Sequence, residues 1–124
     1  MEPLNWTAIL VGTFVAFIVG WLYFSPKVFG RAWAIGSRID PNPPAKMPIL
    51  AMGLQVVALF LLAIVIGLTA QIEALGTAIA AILAAATLVM AQDAFSEKSN
   101  TAVLIDGGYV VLSGIIMIVF QGVF

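Results

Sequence analysis

The chain alternates long runs that contain no charged residue with short polar connections. The uncharged runs extend from Pro3 to Pro26, Met47 to Ile72, Ala74 to Gln92 and Gly107 to Phe124. A bilayer core of roughly 30 Å takes about 20 helical residues, so each run is close to one span. Backbone amides in hydrocarbon must pair internally, and a helix does this within a single segment. The pattern therefore predicts four transmembrane helices, about 6–24, 48–70, 74–94 and 101–124, forming one domain over 1–124. The expected fold class is all-α, an integral membrane four-helix bundle.

Polar residues mark the ends of these elements. Asn5 is placed to cap the first turn of span 1, with Trp6 at the interface; this reading is preferred to glycosylation of Asn5-Trp6-Thr7. Trp21 and Tyr23 mark the other interface, and Ser25-Pro26 ends the helix. The amino terminus lacks a basic n-region, so span 1 is read as retained rather than cleaved. From Pro26 to Arg38 the cations Lys27, Arg31 and Arg38 alternate with Val28, Phe29, Ala32, Trp33 and Ile35. Such a segment predicts a short interfacial amphipathic helix between spans 1 and 2. Asp40-Pro41-Asn42-Pro43-Pro44 is a turn, because proline removes amide donors and restricts its predecessor. The short connection from Gln71 to Gly76 makes spans 2 and 3 antiparallel neighbours. Ser96-Glu97-Lys98-Ser99-Asn100 leads into span 4.

Composition narrows the chemistry. Of the 124 residues, 63% are hydrophobic and 9% charged, too little polar surface for a water-soluble domain. The mean hydropathy is +1.15. A net charge of −1 gives no basis for a nucleic-acid partner. The absence of Cys and His removes disulfides, thiol chemistry and the usual zinc and copper ligand sets. No metal ligands, no cofactor and no catalytic residues are assigned, and the chain is not read as an enzyme. Lys27, Arg31, Arg38 and Lys46 lie in the loop 25–47 and Lys98 in the loop 95–100, with none in the other connections. Cations near span ends mark the cytoplasmic side. Both loops are thus expected in the cytoplasm and both termini outside, in a bacterial-type plasma membrane. The basic loop sets topology and contacts anionic headgroups of the lipid bilayer.

Small residues indicate where helices approach closely. Ala8, Gly12, Ala16 and Gly20 recur every four residues in span 1; Thr77, Ala80, Ala84, Thr87 and Ala91 follow a similar spacing in span 3; Gly107 and Gly114 are seven apart in span 4. These stripes fit packing inside the bundle. Alternatively one of them, with span 1 leading, faces another subunit, and a homo-oligomer is expected.

The segment Trp21-Leu22-Tyr23-Phe24-Ser25-Pro26-Lys27-Val28-Phe29-Gly30-Arg31-Ala32-Trp33 resembles the aromatic-Ser-Pro-x-x-Phe-Gly-basic-x-Trp signature of the domain of unknown function 1761 family. Asn5-Trp6 also fits. Phe95-Ser96-Glu97-Lys98, followed by Leu104-Ile105-Asp106-Gly107-Gly108-Tyr109, is similar to that family's last loop and helix, where Asn is more usual at the position of Asp106. The resemblance implies a small multi-span membrane protein and brings no catalytic residues with it.

Among polar residues, Asp106 lies well inside span 4, where an ionised carboxylate needs a partner or water. Lys98, Arg31 and Lys27 are its candidate partners. Asp93, Tyr109 and Ser113 complete a candidate polar site. A structural, hydrogen-bonding role for Asp106 is preferred to a cation or proton site, and Gln55 and Thr13 are read as interhelical hydrogen-bonding residues. The function that fits this pattern is an oligomeric transporter or channel for a small solute or ion. A non-transporting scaffold or accessory subunit is the alternative.

Overall fold

The computed structural model describes residues 4–39 and 49–124. The described residues form α1 (Trp6–Tyr23), α2 (Gly30–Gly36), α3 (Ile49–Gln71), α4 (Leu75–Phe95) and α5 (Asn100–Val123). All but α2 are long and apolar enough to cross a membrane. At about 1.5 Å per residue, the shortest of these, α1 with 18 residues, still approaches the thickness of a bilayer core.

Local chemistry fixes the helix ends. The Asn5 side chain accepts from the Ala8 amide at 3.1 Å, as its capping role required. Ser99 does the same for Ala102 at 3.1 Å and starts α5 one residue earlier than expected. Three helices end alike. Arg38 (φ 62°), Glu73 (φ 51°) and Glu97 (φ 61°) adopt the left-handed conformation beyond α2, α3 and α4. In each case the next amide reaches back across the last turn: Ile39 to the Ala34 carbonyl at 3.0 Å, Ala74 to Thr69 at 2.8 Å, Lys98 to Asp93 at 3.1 Å. This is the Schellman arrangement, here built on charged residues instead of glycine.

The segment between α1 and α2 differs from expectation. The helix covers only Gly30–Gly36 rather than most of the stretch from Pro26 to Arg38, because the chain first turns through Ser25, whose carbonyl accepts from the Gly30 amide at 2.9 Å. A Cβ at position 30 would collide with the Phe24 carbonyl, so glycine is required for this return. The Asp40–Pro44 turn and Lys46 lie outside the described residues.

The helix α5 packs against all four others. Gly107 and Gly114 bring it against Met90 and Ile82 of α4, and Gly36 of α2 sits against Ser99 and Ala102. The small-residue stripe of α1 faces inward: Ala8, Gly12 and Ala16 are buried, and Met117 and Phe120 of α5 stand opposite Gly12. This corrects the expectation that span 1 leads a subunit contact, since its stripe is consumed within the chain. The stripe of α4 behaves oppositely, with Thr77, Ala80, Ala84, Thr87 and Ala91 all exposed. Thr13 is also corrected, because its hydroxyl donates to Ile9 of its own helix at 2.7 Å. The core proper, including Ile9, Ala63, Ile66, Ile82 and Met117, fills the half of the bundle remote from α2.

Candidate functional site

At the α2 end the helices diverge around a cavity of about 790 Å³. Its walls are Phe17, Gly20, Trp21 and Phe24 of α1, Trp33 of α2, residues from Ala51 to Leu62 of α3 including Gln55, Ala85 and Val89 of α4, and Asp106, Tyr109, Val110 and Ser113 of α5. The small side chains Ala58 and Ala85 leave the space, and Phe24 packs edge-on to both Trp33 (5.5 Å) and Tyr109 (5.4 Å). The volume suits a small organic molecule.

Two tyrosines hold α1 and α5 together beside this cavity. Tyr23 donates from α1 to the Ile105 carbonyl at 2.7 Å, and Tyr109 donates from α5 to the Ala16 carbonyl at 2.7 Å. Gly20 permits the second bond, because a Cβ there would lie 2.6 Å from the Tyr109 hydroxyl. Tyr109 thus belongs to the wall, but its hydroxyl is engaged by the backbone.

The charged group at the rim is assembled by the α4–α5 junction. The Schellman turn places Lys98 directly over the last turn of α4, and Ser99, which donates its amide to the Gly36 carbonyl at 2.9 Å, locks that turn against α2. The Lys98 ammonium then lies 3.3 Å from Asp93 Oδ1 and 3.6 Å from Asp106 Oδ2. It also stands 5.5 Å from the centre of the Trp33 ring. Asp93 and Asp106 therefore share one cation, and of the candidate partners of Asp106 it is Lys98 that is paired. Lys27, Arg31 and Arg38 are exposed on the loop side. Trp33 and Asp93 both stand beside the Asp106 carboxylate, whereas Ser113 Oγ on the cavity wall is buried with no hydrogen-bond partner. An unmet buried polar group costs about 1–3 kcal/mol, so polar atoms at a cavity wall are informative.

The structure brings Asp106, Tyr109 and Ser113 to one cavity and places Asp93 beside Asp106, while Lys27, Arg31 and Arg38 form no ion pair with them. Trp33, Phe24 and Trp21 were not singled out as site residues from sequence. The aromatic density between Phe14 and Trp33 was the available signal, but its meaning depends on the packing of α1 and α2 against α5.

No curated protein and no solved structure matches this chain. The profile of the family described as "Protein of unknown function (DUF1761)" matches residues 7–122. That match spans nearly all of the sequence, and the resemblance of the Trp21–Trp33 segment and of the last loop falls within it: the chain belongs to the DUF1761 family.

Proposed function

We propose that this protein binds a small organic solute in the α2-end cavity and carries it across the bilayer. The observation that supports this reading is the pair of cavities at opposite ends of the bundle. The larger, about 790 Å³, lies at the α2 end; the smaller, about 270 Å³, is lined at the other end by Thr69, Glu73, Leu75 and Gln121. Between them stand Ile9, Ala63, Ile82 and Met117, packed as a closed layer. A pocket at one end, a smaller one at the other and a closed layer between them suit alternating exposure of a binding site better than an open channel. The largely apolar wall favours a solute with an apolar body over a bare ion.

The test uses liposomes loaded with membrane-impermeant bicyclic solutes, N-methylquinolinium and 1-naphthalenesulfonate. Wild-type protein should release at least one of them faster than protein carrying Ala85→Phe, which fills the cavity from α4. Equal release from wild type, the variant and protein-free liposomes would remove the carrier reading.

A scaffold or accessory subunit is the second reading, and the outward stripe of α4 favours it. Small residues allow helices to approach closely in lipid, and this stripe is left uncovered among the described residues. Self-association through α4 is compatible with either reading.

A further inference from the structure

We propose that the solute taken by the α2-end cavity is an organic cation with an apolar, ring-sized body, its charge met by the Asp106 carboxylate. This rests on the reading of that cavity as a binding site and adds the sign of its occupant's charge.

The charge balance comes first. Asp93 and Asp106 face one ammonium, Lys98, and among the described residues neither carboxylate is paired with a second cation. Two neighbouring carboxylates with one ammonium beside them cannot both stay ionised cheaply away from water, so the cluster holds either a proton or a second cation, and a cation in the cavity can take the proton's place. Lys98 is the nearer to Asp93, at 3.3 Å, and approaches Asp106 through Oδ2 at 3.6 Å. Asp106 also lines the cavity, so a cation lodged there can reach its carboxylate.

The second observation is that the site already holds a cation of this kind. The Lys98 ammonium is seated between carboxylates and 5.5 Å from the Trp33 ring centre, a carboxylate-and-aromatic setting that recognises ammonium groups. The same Trp33, with Phe24 and Trp21, continues as the cavity wall. Aromatic faces are negative and the rest of the wall is apolar, which matches a delocalised or alkylated cation better than a hydrated metal ion.

The third is Ser113. It is 0% exposed, its hydroxyl has no partner, and it lines the same cavity two turns beyond Asp106 on α5. Its oxygen can turn a lone pair toward a cation. Among the described residues no Lys or Arg lines the cavity itself, and the nearest cation is Lys98, which competes for Asp106 from beside it.

The experiment compares near-isosteric probes that differ in charge. N-methylquinolinium and 1-methylnaphthalene have the same bicyclic outline, the first cationic and the second neutral. Equilibrium dialysis against purified full-length protein in detergent, referenced to empty micelles, should show the cation bound at least about tenfold more tightly. Asp106→Asn should abolish this preference while leaving the neutral probe within about twofold. Lys98→Met, which removes the competing internal cation, should strengthen binding of N-methylquinolinium, a gain that loss of folding cannot produce. Equal binding of the two probes to wild type, or a preference that survives Asp106→Asn, would overturn the cation assignment and leave the carrier reading standing. Binding of neither probe above empty micelles would overturn both.

Discussion

At the scale of single residues, the contact between Tyr109 and Gly20 makes the sharpest statement about packing. The tyrosine hydroxyl bonds the Ala16 carbonyl and occupies the space a side chain at position 20 would need. Gly20→Ala should therefore destabilise the protein by about 1–3 kcal/mol through overpacking, and Tyr109→Phe by about 1 kcal/mol through the lost hydrogen bond. The two costs should not add, since removing the hydroxyl relieves part of the clash. Unfolding in mixed micelles checks this, and strictly additive losses would contradict the contact. Asp106 provides a second residue-scale prediction. Asn keeps an acceptor beside Lys98 and should cost little, whereas Leu leaves Lys98 with Asp93 alone and should cost about 1–3 kcal/mol. The need of Asp106 for a partner was legible in the sequence, because a carboxylate inside a span demands one and Lys98 lies two residues before the start of its helix. The engagement of Tyr109 was not legible: its partner is 93 residues away, and only the register of α1 against α5 brings them together.

At the scale of elements, capping residues and charge-free length together placed each long helix within one residue of its observed ends. Asn5 and Ser99 carry their own chemistry and could be read directly. The closing turns could not, because their left-handed positions are filled by Arg38, Glu73 and Glu97, where glycine would have announced them. This exposes a cost that can be removed. Glu97→Gly should raise stability by about 1 kcal/mol, the approximate penalty for a side chain in that conformation, and should leave Lys98 over Asp93; a loss of thermal stability would show that the Glu97 side chain does more than tolerate the turn. The small-residue stripes of α1 and α4 differ in a way no periodicity reveals, since the spacing is similar and only the neighbours distinguish inside from outside. Gly12→Leu would drive a side chain into Met117 and Phe120 and should unfold the bundle. Ala84→Leu on the open face of α4 should leave the melting temperature nearly unchanged. If the α4 stripe joins two copies, the same substitution lowers the dimer fraction in native mass spectrometry from lipid nanodiscs; an unchanged fraction assigns that stripe to lipid alone.

For the molecule as a whole, orientation decides which compartment the larger cavity serves. Four spans would put both termini on one side, and all five cations of the sequence fall in the α1–α3 and α4–α5 connections, which would then share the other. They do not contribute equally. Lys98 is drawn into the cluster with Asp93 and Asp106, whereas Lys27, Arg31 and Arg38 remain exposed and available to anionic headgroups. The positive-inside bias should therefore rest on the α1–α3 connection, with Lys98 acting mainly within the folded bundle. A carboxy-terminal fusion to a phosphatase active only outside the cytoplasm should be active, and a fluorescent fusion that matures only in the cytoplasm should stay dark. Lys98→Met should leave both readouts as they are, while replacing Lys27, Arg31 and Arg38 by Gln should weaken the phosphatase signal and allow cytoplasmic fluorescence to appear. With this orientation the α2-end cavity faces the cytoplasm, and a carrier built on it would meet its cationic solute there. A bright fluorescent fusion on the wild-type chain would reverse that assignment, placing the same cavity and the same carboxylate on the outer face.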